Sequence, residues 1–455
     1  MCMVIKRYLL FVFILLASLR AVAQSPAERL TALLGDEVVE QCNASLVVYD
    51  IEGDSLLFSH RAGKLMRPAS VLKLFTSVTA VERLGAEYAI ETPLLGRGNN
   101  LYIKGALDPL FSYDDLGTML ASVPQGMVVD TLFADCSFMD SVYWGPGWAW
   151  DDTPWKFQPY ISPLMLCGGC MEVKASPGLK GLPPVVECYP PSAFYSVENE
   201  AVSRSGSEEK FTILRDWLAG TNVIRLRGNC RSPKSEKMNM YPSQDYFMAV
   251  AMERLVAMGV EVRNVAYGKA PAGCDTLHVV RRPLFAVVKE ALKESDNLCA
   301  EALSYHLGSL YGSYPVSQEM GPKIVKGFME YTLDLPEVYA IRDGSGLSPY
   351  SFVSADMVLQ LLLHAHGREE VRDVLAVGLP QSGVDGTLKH RMKSGVAYKN
   401  VFAKTGAVTG VCNLAGYAKA SNGHTLAFVI LCEGYPRASF VRRWQDKVCE
   451  VICTY

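Results

Sequence analysis

Hydrophobic residues follow two kinds of spacing along this chain. Apolar positions recur at helical intervals from about Ala69 to Leu84 and again from Leu284 to Leu292. Shorter apolar runs at 100–105, 127–133 and 401–408 contain the β-branched and aromatic residues that favour strands. The patterns therefore predict helices near residue 70 and residue 288, and strands between them and after them.

The first predicted helix carries a serine and a lysine in suggestive positions. Pro68 suits the entry to a helix, and Ser70 lies where free N–H groups and the helix dipole favour negative charge. Lys73 follows three residues later, on the same helix face. A serine hydroxyl becomes a good nucleophile when a base takes its proton, and a lysine of lowered pKa can be that base. Ser70 and Lys73 are therefore candidates for a nucleophile and its base, although a capping serine and a solvated lysine remain the alternative.

A second short motif follows the second predicted helix. It reads Ser295-Asp296-Asn297. Ser295 could pass a proton to a leaving amine, and Asn297 could hold both Lys73 and a substrate amide.

A third motif, Lys404-Thr405-Gly406, lies in the predicted strand at 401–408. Lys404 adds positive charge, and Thr405 could receive a carboxylate group. Gly406, which lacks a side chain, would leave room for a substrate to lie along the strand.

The first residues have the composition of an export signal. Lys6 and Arg7 precede the apolar run 8–19, and Ala21-Val22-Ala23 fits the small-residue cleavage pattern. We expect cleavage near Ala23, a mature protein in the periplasm or secreted, and no stable membrane anchor afterwards. An uncleaved anchor is the alternative.

Composition narrows the classes of function. The chain has 455 residues, enough for two or three domains, and a net charge of -3, which argues against nucleic acid as a partner. Its seven histidines form no set with the spacing of metal ligands, so we expect no metal and no cofactor.

Thirteen cysteines are many for an exported enzyme. Cys167 and Cys170 form a C-x-x-C pair, but no second pair is spaced to complete a zinc site. A local disulfide or two reduced thiols with a structural role is the expectation. The aromatic cluster 143–152 nearby is expected to be loop packing, or alternatively a wall of a substrate site.

The order Ser-x-x-Lys, Ser-x-Asn, Lys-Thr-Gly resembles the signature of penicillin-binding proteins and serine β-lactamases. The long insertion between the first two motifs is similar to that of the class C low-molecular-mass penicillin-binding proteins, the D-alanyl-D-alanine carboxypeptidase/endopeptidase family (peptidase family S13). Further similar stretches are 295–301, 343–348, 379–388 and 413–417.

The resemblance implies an α/β (α+β) fold with a serine β-lactamase/transpeptidase-like domain. Its antiparallel sheet would be flanked by helices and interrupted by smaller, mostly-β inserted domains. The implied organisation is a signal peptide at 1–23, catalytic segments at 24–95 and 276–455, and the inserted part at 96–275.

The resemblance also implies an activity on peptidoglycan stem peptides and binding of β-lactam antibiotics. Ser70 would form an acyl-enzyme with Lys73 as base, while Ser295 and Asn297 shuttle the proton and orient the substrate. Lys404 and Thr405 would bind the terminal carboxylate. The backbone N–H groups of Ser70 and Ala407 would form the oxyanion hole. The family commonly has Thr or Ser where this chain has Ala407.

Three further expectations concern neighbouring residues and rival functions. Asp151 or Asp152 could face the amine of a diaminopimelate side chain, although a solvated loop acid is the alternative. Ser345, in the sequence Asp343-Gly344-Ser345-Gly346, is expected to support the catalytic domain rather than to be a nucleophile. The rival functions are a serine β-lactamase and a catalytically silent peptidoglycan-binding module of the same fold.

Overall fold

The computed structural model describes residues 24–204, 206, 208–435 and 437–455. The predicted signal peptide at 1–23 lies outside the described residues. The helices are α1 (Pro26–Leu33), α2 (Glu37–Glu40), α3 (Leu72–Leu84), α4 (Tyr113–Leu120), α5 (Ser243–Ala257), α6 (Leu284–Lys293), α7 (Asn297–Gly308), α8 (Met320–Tyr331), α9 (Ala355–Gly367), α10 (Glu369–Gly378) and α11 (Ala438–Ile452). Short 3₁₀ turns cover Ala69–Val71, Trp150–Asp152, Leu166–Gly169, Ser309–Tyr311 and Gly386–Leu388.

Strands near the two ends of the chain form one central sheet, and a larger group of strands lies between them in sequence. The central strands are β1 (Asn43–Asp50), β2 (Ser55–His60), β18 (Val401–Val408), β19 (Val411–Lys419) and β20 (Thr425–Glu433). Those between are β3 (Ala89–Arg97), β4 (Asn100–Lys104), β5 (Val128–Val129), β6 (Thr131–Asp135), β7 (Cys170–Ser176), β8 (Val185–Tyr189), β9 (Ser196–Asn199), β10 (Val202–Ser203), β11 (Thr212–Arg215), β12 (Val223–Arg227), β13 (Asn229–Cys230), β14 (Lys234–Asn239), β15 (Glu261–Val262), β16 (Val265–Tyr267) and β17 (Asp275–Pro283).

The central sheet has the strand order β18-β19-β20-β1-β2, with antiparallel neighbours. Both of its faces are apolar. In β20, Phe428 and Ile430 belong to one core, whereas Val429 and Leu431 belong to the other. Because successive side chains of a strand point to opposite faces, such a continuous apolar run predicts a sheet covered on both sides. Helices α1 and α11 cover the face that carries Phe428 and Ile430. Helices α3 and α6–α10 cover the face that carries Val429 and Leu431.

The inserted part has its own sheets and its own hydrophobic core. Its largest sheet is mixed and has the order β16-β6-β4-β3-β17, and two three-stranded sheets have the orders β14-β7-β8 and β11-β12-β9. Strand β3 enters this part and β17 leaves it, and the two pair antiparallel. The predicted boundaries at 96 and 275 fall within these two strands, so the exact division into domains stays a prediction.

The architecture confirms the predicted fold class: an antiparallel sheet flanked by helices, with smaller β-rich parts inserted between its strands. The predicted strand at 100–105 is observed as β4, and the predicted strand at 401–408 is observed as β18. No helix in the described ranges combines the length and the apolar character needed to cross a bilayer.

Candidate active site

Ser70 and Lys73 lie at the start of the helix that their spacing predicts. The first turn, Ala69–Val71, is 3₁₀, and α3 continues from Leu72. Ser70 is partly exposed, whereas Lys73 is fully buried. The Nζ atom of Lys73 donates a hydrogen bond to Ser70 Oγ at 2.9 Å. The predicted pairing of these two side chains is therefore present in the structure.

Lys73 also donates to two acceptors from distant parts of the chain. Its Nζ atom is 2.6 Å from Asn297 Oδ1 and 2.8 Å from the carbonyl oxygen of Ser345. Burial lowers the pKa of Lys73 to about 8, even though the carboxylates of Asp343 and Glu301 act in the opposite direction. A buried lysine with its pKa near neutrality can exist as the free amine, which is the form that accepts a proton.

The Ser295-Asp296-Asn297 motif forms the turn between α6 and α7. Asp296 caps α7, because its Oδ1 accepts the backbone N–H of Cys299 at 2.9 Å. Ser295 has a backbone φ of 60°, an unusual conformation for a residue with a side chain. The turn thereby directs Ser295 Oγ toward Lys404 and Asn297 Oδ1 toward Lys73.

Lys404 reaches the same site from strand β18. It is fully buried, and its Nζ atom donates to Ser295 Oγ at 2.7 Å and to the carbonyl of Thr405 at 2.8 Å. Burial, with the nearby charge of Lys73, lowers the pKa of Lys404 well below its usual value. The hydroxyl of Thr405 donates to Thr387 Oγ1 at 2.8 Å. The three sequence motifs thus meet in two hydrogen-bonded groups, one around Lys73 and one around Lys404, which the turn from Ser295 to Asn297 connects.

Gly406 and Ala407 occupy different environments. A Cβ atom at Gly406 would lie 2.8 Å from the carbonyl oxygen of Pro68 and 3.1 Å from the backbone nitrogen of Val71. A side chain at this position would therefore press on the start of the Ser70 helix, and the predicted role of Gly406 in leaving room for substrate along the strand stays a prediction. Ala407 is exposed and pairs with Cys412 in the sheet. The predicted oxyanion role of its N–H stays a prediction.

Two buried acids behind the site were not found as site residues from the sequence. The carboxylate of Glu301 accepts the backbone N–H groups of Gly344 and Ser345, the latter at 2.8 Å. Asp343 accepts the N–H of Ser348 at 2.7 Å and the indole N–H of Trp148 at 3.0 Å. These bonds hold the Ser345 carbonyl against Lys73, so Ser345 has the supporting place that the sequence predicts.

The pKa values of these two acids reflect their burial. Burial, reinforced by the charge of Asp343, raises the pKa of Glu301 to about 8. Burial also raises the pKa of Asp343, against the N–H donors from Trp148, Ser348 and Gly346. Both acids are therefore held closer to their neutral forms than exposed carboxyl groups would be.

Asn413 fixes the backbone just before the nucleophile. Its Nδ2 group donates to the carbonyls of Arg67 and Pro68 at 2.9 and 2.8 Å, and its Oδ1 accepts the N–H of Cys432 at 2.9 Å. This buried side chain therefore ties the Ser70 turn to two strands of the central sheet. The only sequence signal for it was its place in the family-like stretch 413–417.

The aromatic segment, residues 144–160, contributes a backbone contact that the sequence did not reveal. The Nδ2 group of Asn297 donates to the carbonyl oxygen of Phe157 at 2.6 Å. Asp151 is exposed and Asp152 is half-buried in the same segment, and no side-chain hydrogen bond joins either acid to another described residue. Their predicted contact with a substrate amine is not tested by this geometry.

Cys167 and Cys170 are both free thiols in the described chain. Of the two forms expected, a local disulfide or two reduced thiols, the structure has the reduced thiols.

Metal-ligating side chains gather at one place in the described ranges. Potential ligand atoms of Asp50, Glu52 and His424 lie within 4.8 Å of one another. The Nδ1 atom of His424 is already 2.8 Å from Asp50 Oδ2. This hydrogen bond accounts for the arrangement, and nothing in the three motifs requires a metal.

Comparisons with known proteins identify one family. The model of the D-Ala-D-Ala carboxypeptidase 3 (S13) family matches residues 27–451. A D-alanyl-D-alanine carboxypeptidase of Actinomadura sp. is 30% identical over 92% of this chain and 84% of its own length. The carboxypeptidase DacB of Haemophilus influenzae is 25% identical over 88% of each chain.

Solved structures show the same fold. Penicillin-binding protein 4 (DacB) of Haemophilus influenzae superposes with a TM-score of 0.81 and 23% identity, covering 93% of this chain and 99% of that one. The structure of the same protein in complex with a β-lactam superposes with a TM-score of 0.75 and 21% identity. It covers 94% of this chain and 100% of that one. The family model covers residues 27–451 of this chain, and the three motifs lie together around Ser70. The chain therefore belongs to the S13 family of D-Ala-D-Ala carboxypeptidases, which are serine peptidases.

Proposed function

We propose that this protein is a penicillin-binding, serine-type carboxypeptidase and endopeptidase that cleaves D-alanyl bonds of peptidoglycan stem peptides. One observation carries the proposal. A fully buried lysine with its pKa lowered to about 8 bridges the Ser70 hydroxyl and Asn297. This is the environment in which a serine gains a base that works near neutral pH.

The contacts support a two-step reaction. In the first step Ser70 Oγ attacks the carbonyl of the penultimate D-alanine, and its proton passes to the neutral amine of Lys73. As the C–N bond breaks, the proton held by Lys73 passes through the Ser295 hydroxyl to the departing amine, which returns Lys73 to its neutral form. Lys404 Nζ, 2.7 Å from Ser295 Oγ, holds that hydroxyl in place. The released product is D-alanine, or the amine side of a cross-link.

In the second step water attacks the ester formed on Ser70. Lys73 again receives a proton, this time from the water, and returns it to Ser70 Oγ as the acid product leaves. The backbone N–H groups of Ser70 and Ala407 would stabilise the oxyanion in both steps. The positive charge of Lys404 and the hydroxyl of Thr405 would receive the substrate carboxylate.

The finer assignment of location belongs to the same proposal. The charged and apolar pattern of residues 1–23 supports an export signal cleaved near Ala23. The substrate class fits an extracytoplasmic protein, because the peptides of the cell wall lie outside the cytoplasmic membrane.

Labelling with penicillin tests the proposed nucleophile. We expect one covalent adduct per chain, located by mass spectrometry on the peptide containing Ser70. Ser70→Ala should abolish the adduct, and Lys73→Ala should slow its formation by roughly 10²- to 10⁴-fold.

Ser345→Ala is the matched control, since this serine is buried behind Lys73. It should keep the label on Ser70. A label on Ser345, or one that survives Ser70→Ala, would remove Ser70 from its role. Rapid turnover of penicillin would favour a β-lactamase, and failure to form any adduct or to cleave any peptide would favour a silent binding module.

A further inference from the structure

A cavity lined by tryptophans lies beside the active site, in the inserted part. Its volume is about 470 Å³, and its walls come from the aromatic segment 144–160 and from the turn between β11 and β12. It contains four of the six tryptophans of the protein: Trp144, Trp148, Trp150 and Trp217. Trp150 is 71% exposed. Large aromatic faces left open to water are uncommon in a folded protein and mark binding surfaces.

The cavity also has polar groups with unused hydrogen-bonding capacity. Arg215 is 4% exposed and donates to the carbonyl of Thr221 and to Asn239 Oδ1, but its Nε atom has no partner among the described residues. Gln158 is 2% exposed, and its Oε1 atom has no partner in the described chain either. A buried donor or acceptor without a partner destabilises the folded chain. Both side chains line the cavity, and a ligand that reaches these two atoms would supply an acceptor to Arg215 and a donor to Gln158.

Two contacts join this cavity to the catalytic group. Trp148, one of the four tryptophans, donates its indole N–H to Asp343 in the loop that supports Lys73. Phe157, next to Gln158, accepts the amide of Asn297 at its carbonyl oxygen. A ligand in the cavity therefore contacts the same segment that holds Asn297 and Asp343 in place.

The chemistry of the walls selects the ligand class. Tryptophan faces carry negative partial charge and pack well against the C–H bonds of a sugar ring. No carboxylate lines the cavity among the described residues, and Arg215 adds positive charge, so the amine of a stem peptide would not be favoured there. An acetamido group, by contrast, offers a carbonyl to Arg215 and an N–H to Gln158.

We propose that this cavity binds an N-acetylated sugar ring of the glycan strand that carries the stem peptide. The proposal rests on the proposed function, because it adds the sugar to the substrate whose peptide is cleaved at Ser70. Binding there would hold the attached peptide near the nucleophile and so raise its effective concentration.

Direct binding is measured first. N,N′-diacetylchitobiose is titrated into the Ser70→Ala protein while tryptophan fluorescence and heat are recorded. We expect a saturable fluorescence change, because most of the tryptophans line the cavity, and its loss in Trp217→Ala and in Trp150→Ala. Leu218→Ala is the matched control: this neighbour of Trp217 is 74% exposed and does not line the cavity. It should bind like the parent.

Turnover is measured next, with Ser70 intact. The values of kcat/KM are compared for a disaccharide-pentapeptide and for the same pentapeptide without sugar. We expect the sugar to raise kcat/KM by roughly three- to tenfold, the range given by one or two aromatic contacts. Trp217→Ala and Trp150→Ala should each lower this ratio toward one, with melting curves showing that the variants fold.

The outcomes separate the two proposals. A ratio near one in the parent, together with no chitobiose binding, overturns the sugar site while leaving the peptidase intact. Saturable binding of the sugar-free peptide to the tryptophans in place of chitobiose also overturns it. Cleavage of neither substrate and no penicillin adduct would instead contradict the proposed function.

Discussion

Lys73 is an ordinary lysine whose chemistry is changed by its surroundings. Removal from water disfavours its charged form, whereas Asp343, Glu301 and Asp296 favour it. Burial has the larger effect, so the pKa falls to about 8 rather than rising. The charged amine donates to Ser70 Oγ, Asn297 Oδ1 and the Ser345 carbonyl. The neutral amine keeps two of these donations and has a lone pair free to accept the Ser70 O–H.

The rate of acylation by penicillin should therefore depend on the protonation of Lys73. The base is the neutral amine, so the rate should rise about tenfold per pH unit below pH 8 and level off above it, with the lowered pKa setting the midpoint. Rapid-mixing measurements of acylation across this range give the profile. Lys73→Arg, which stays charged, should be slow at every pH. A flat profile in the parent would show that Lys73 is not the base.

Asp151 and Asp152 are the residues proposed to select the substrate. If one of them faces the amine of a diaminopimelate side chain, changing both to Asn removes an attractive charge. Turnover of amine-bearing peptides should then fall much more than turnover of a simple acyl-D-Ala-D-Ala peptide. Comparison of kcat/KM for the two substrates measures this. Equal losses on both would leave the two acids as solvated loop residues.

At the scale of elements, the site depends on close contacts between backbone segments. Ala69 has a φ of 45° and Ser295 a φ of 60°, so both the nucleophile turn and the proton-transfer turn contain a residue in the left-handed region. Gly346 lies against the first of these turns with a φ of 80°. Conformations of this kind persist only where surrounding contacts hold them. Here these are the bonds of Asn413 beside the first turn and the bond of Lys404 to Ser295 in the second.

Gly346→Ala should disturb the nucleophile turn. A Cβ atom there would lie 1.9 Å from the carbonyl oxygen of Ala69, so the turn before Ser70 must shift. We expect slower acylation and a lower Tm, with left-handed strain alone costing about 1–2 kcal/mol.

Gly312→Ala separates strain from the clash. Gly312 has a φ of 70°, but no atom lies within 4 Å of its added Cβ. This variant should lower the Tm while acylation keeps the parent rate. Equal effects of the two substitutions on acylation would contradict the role given to the Gly346 contact.

At the scale of the whole molecule, the inserted part completes a site built on the central sheet. Trp148 and Phe157 both come from the insert, and they bond to Asp343 and Asn297 in the catalytic part. The insert therefore contributes to the electrostatics of the site as well as to its walls. Its core of apolar side chains holds the aromatic segment in place.

Trp148→Phe should reveal this contribution. The indole N–H lowers the pKa of Asp343, so its loss should raise that pKa and favour the neutral acid. A neutral Asp343 no longer favours the charged form of Lys73, so the pKa of Lys73 should fall. The midpoint of the acylation profile should move to lower pH.

Trp155→Phe is the control for this shift. Trp155 lies in the same segment, packs against the insert core, and has no side-chain hydrogen bond to another described residue. The midpoint of the acylation profile of the Trp155→Phe variant should stay at the parent value. An unchanged midpoint in both variants would mean that the insert does not reach the chemistry through Trp148.

The sequence by itself determined the features that depend on near neighbours along the chain. The spacing of three residues on a helix places Lys73 beside Ser70, and alternation along a strand places Lys404 inside the sheet and Thr405 on its other side. The order of the three motifs identified the family, and through it the fold class. Tertiary structure alone decided the contacts between residues far apart in sequence: Asn297 with Phe157, Glu301 with the Ser345 loop, and Asn413 with the Ser70 turn. The close approach of Gly406 to Pro68 and Val71 is a contact of the same kind, since a pattern of residue types records which side of an element is buried but not which segment packs against it.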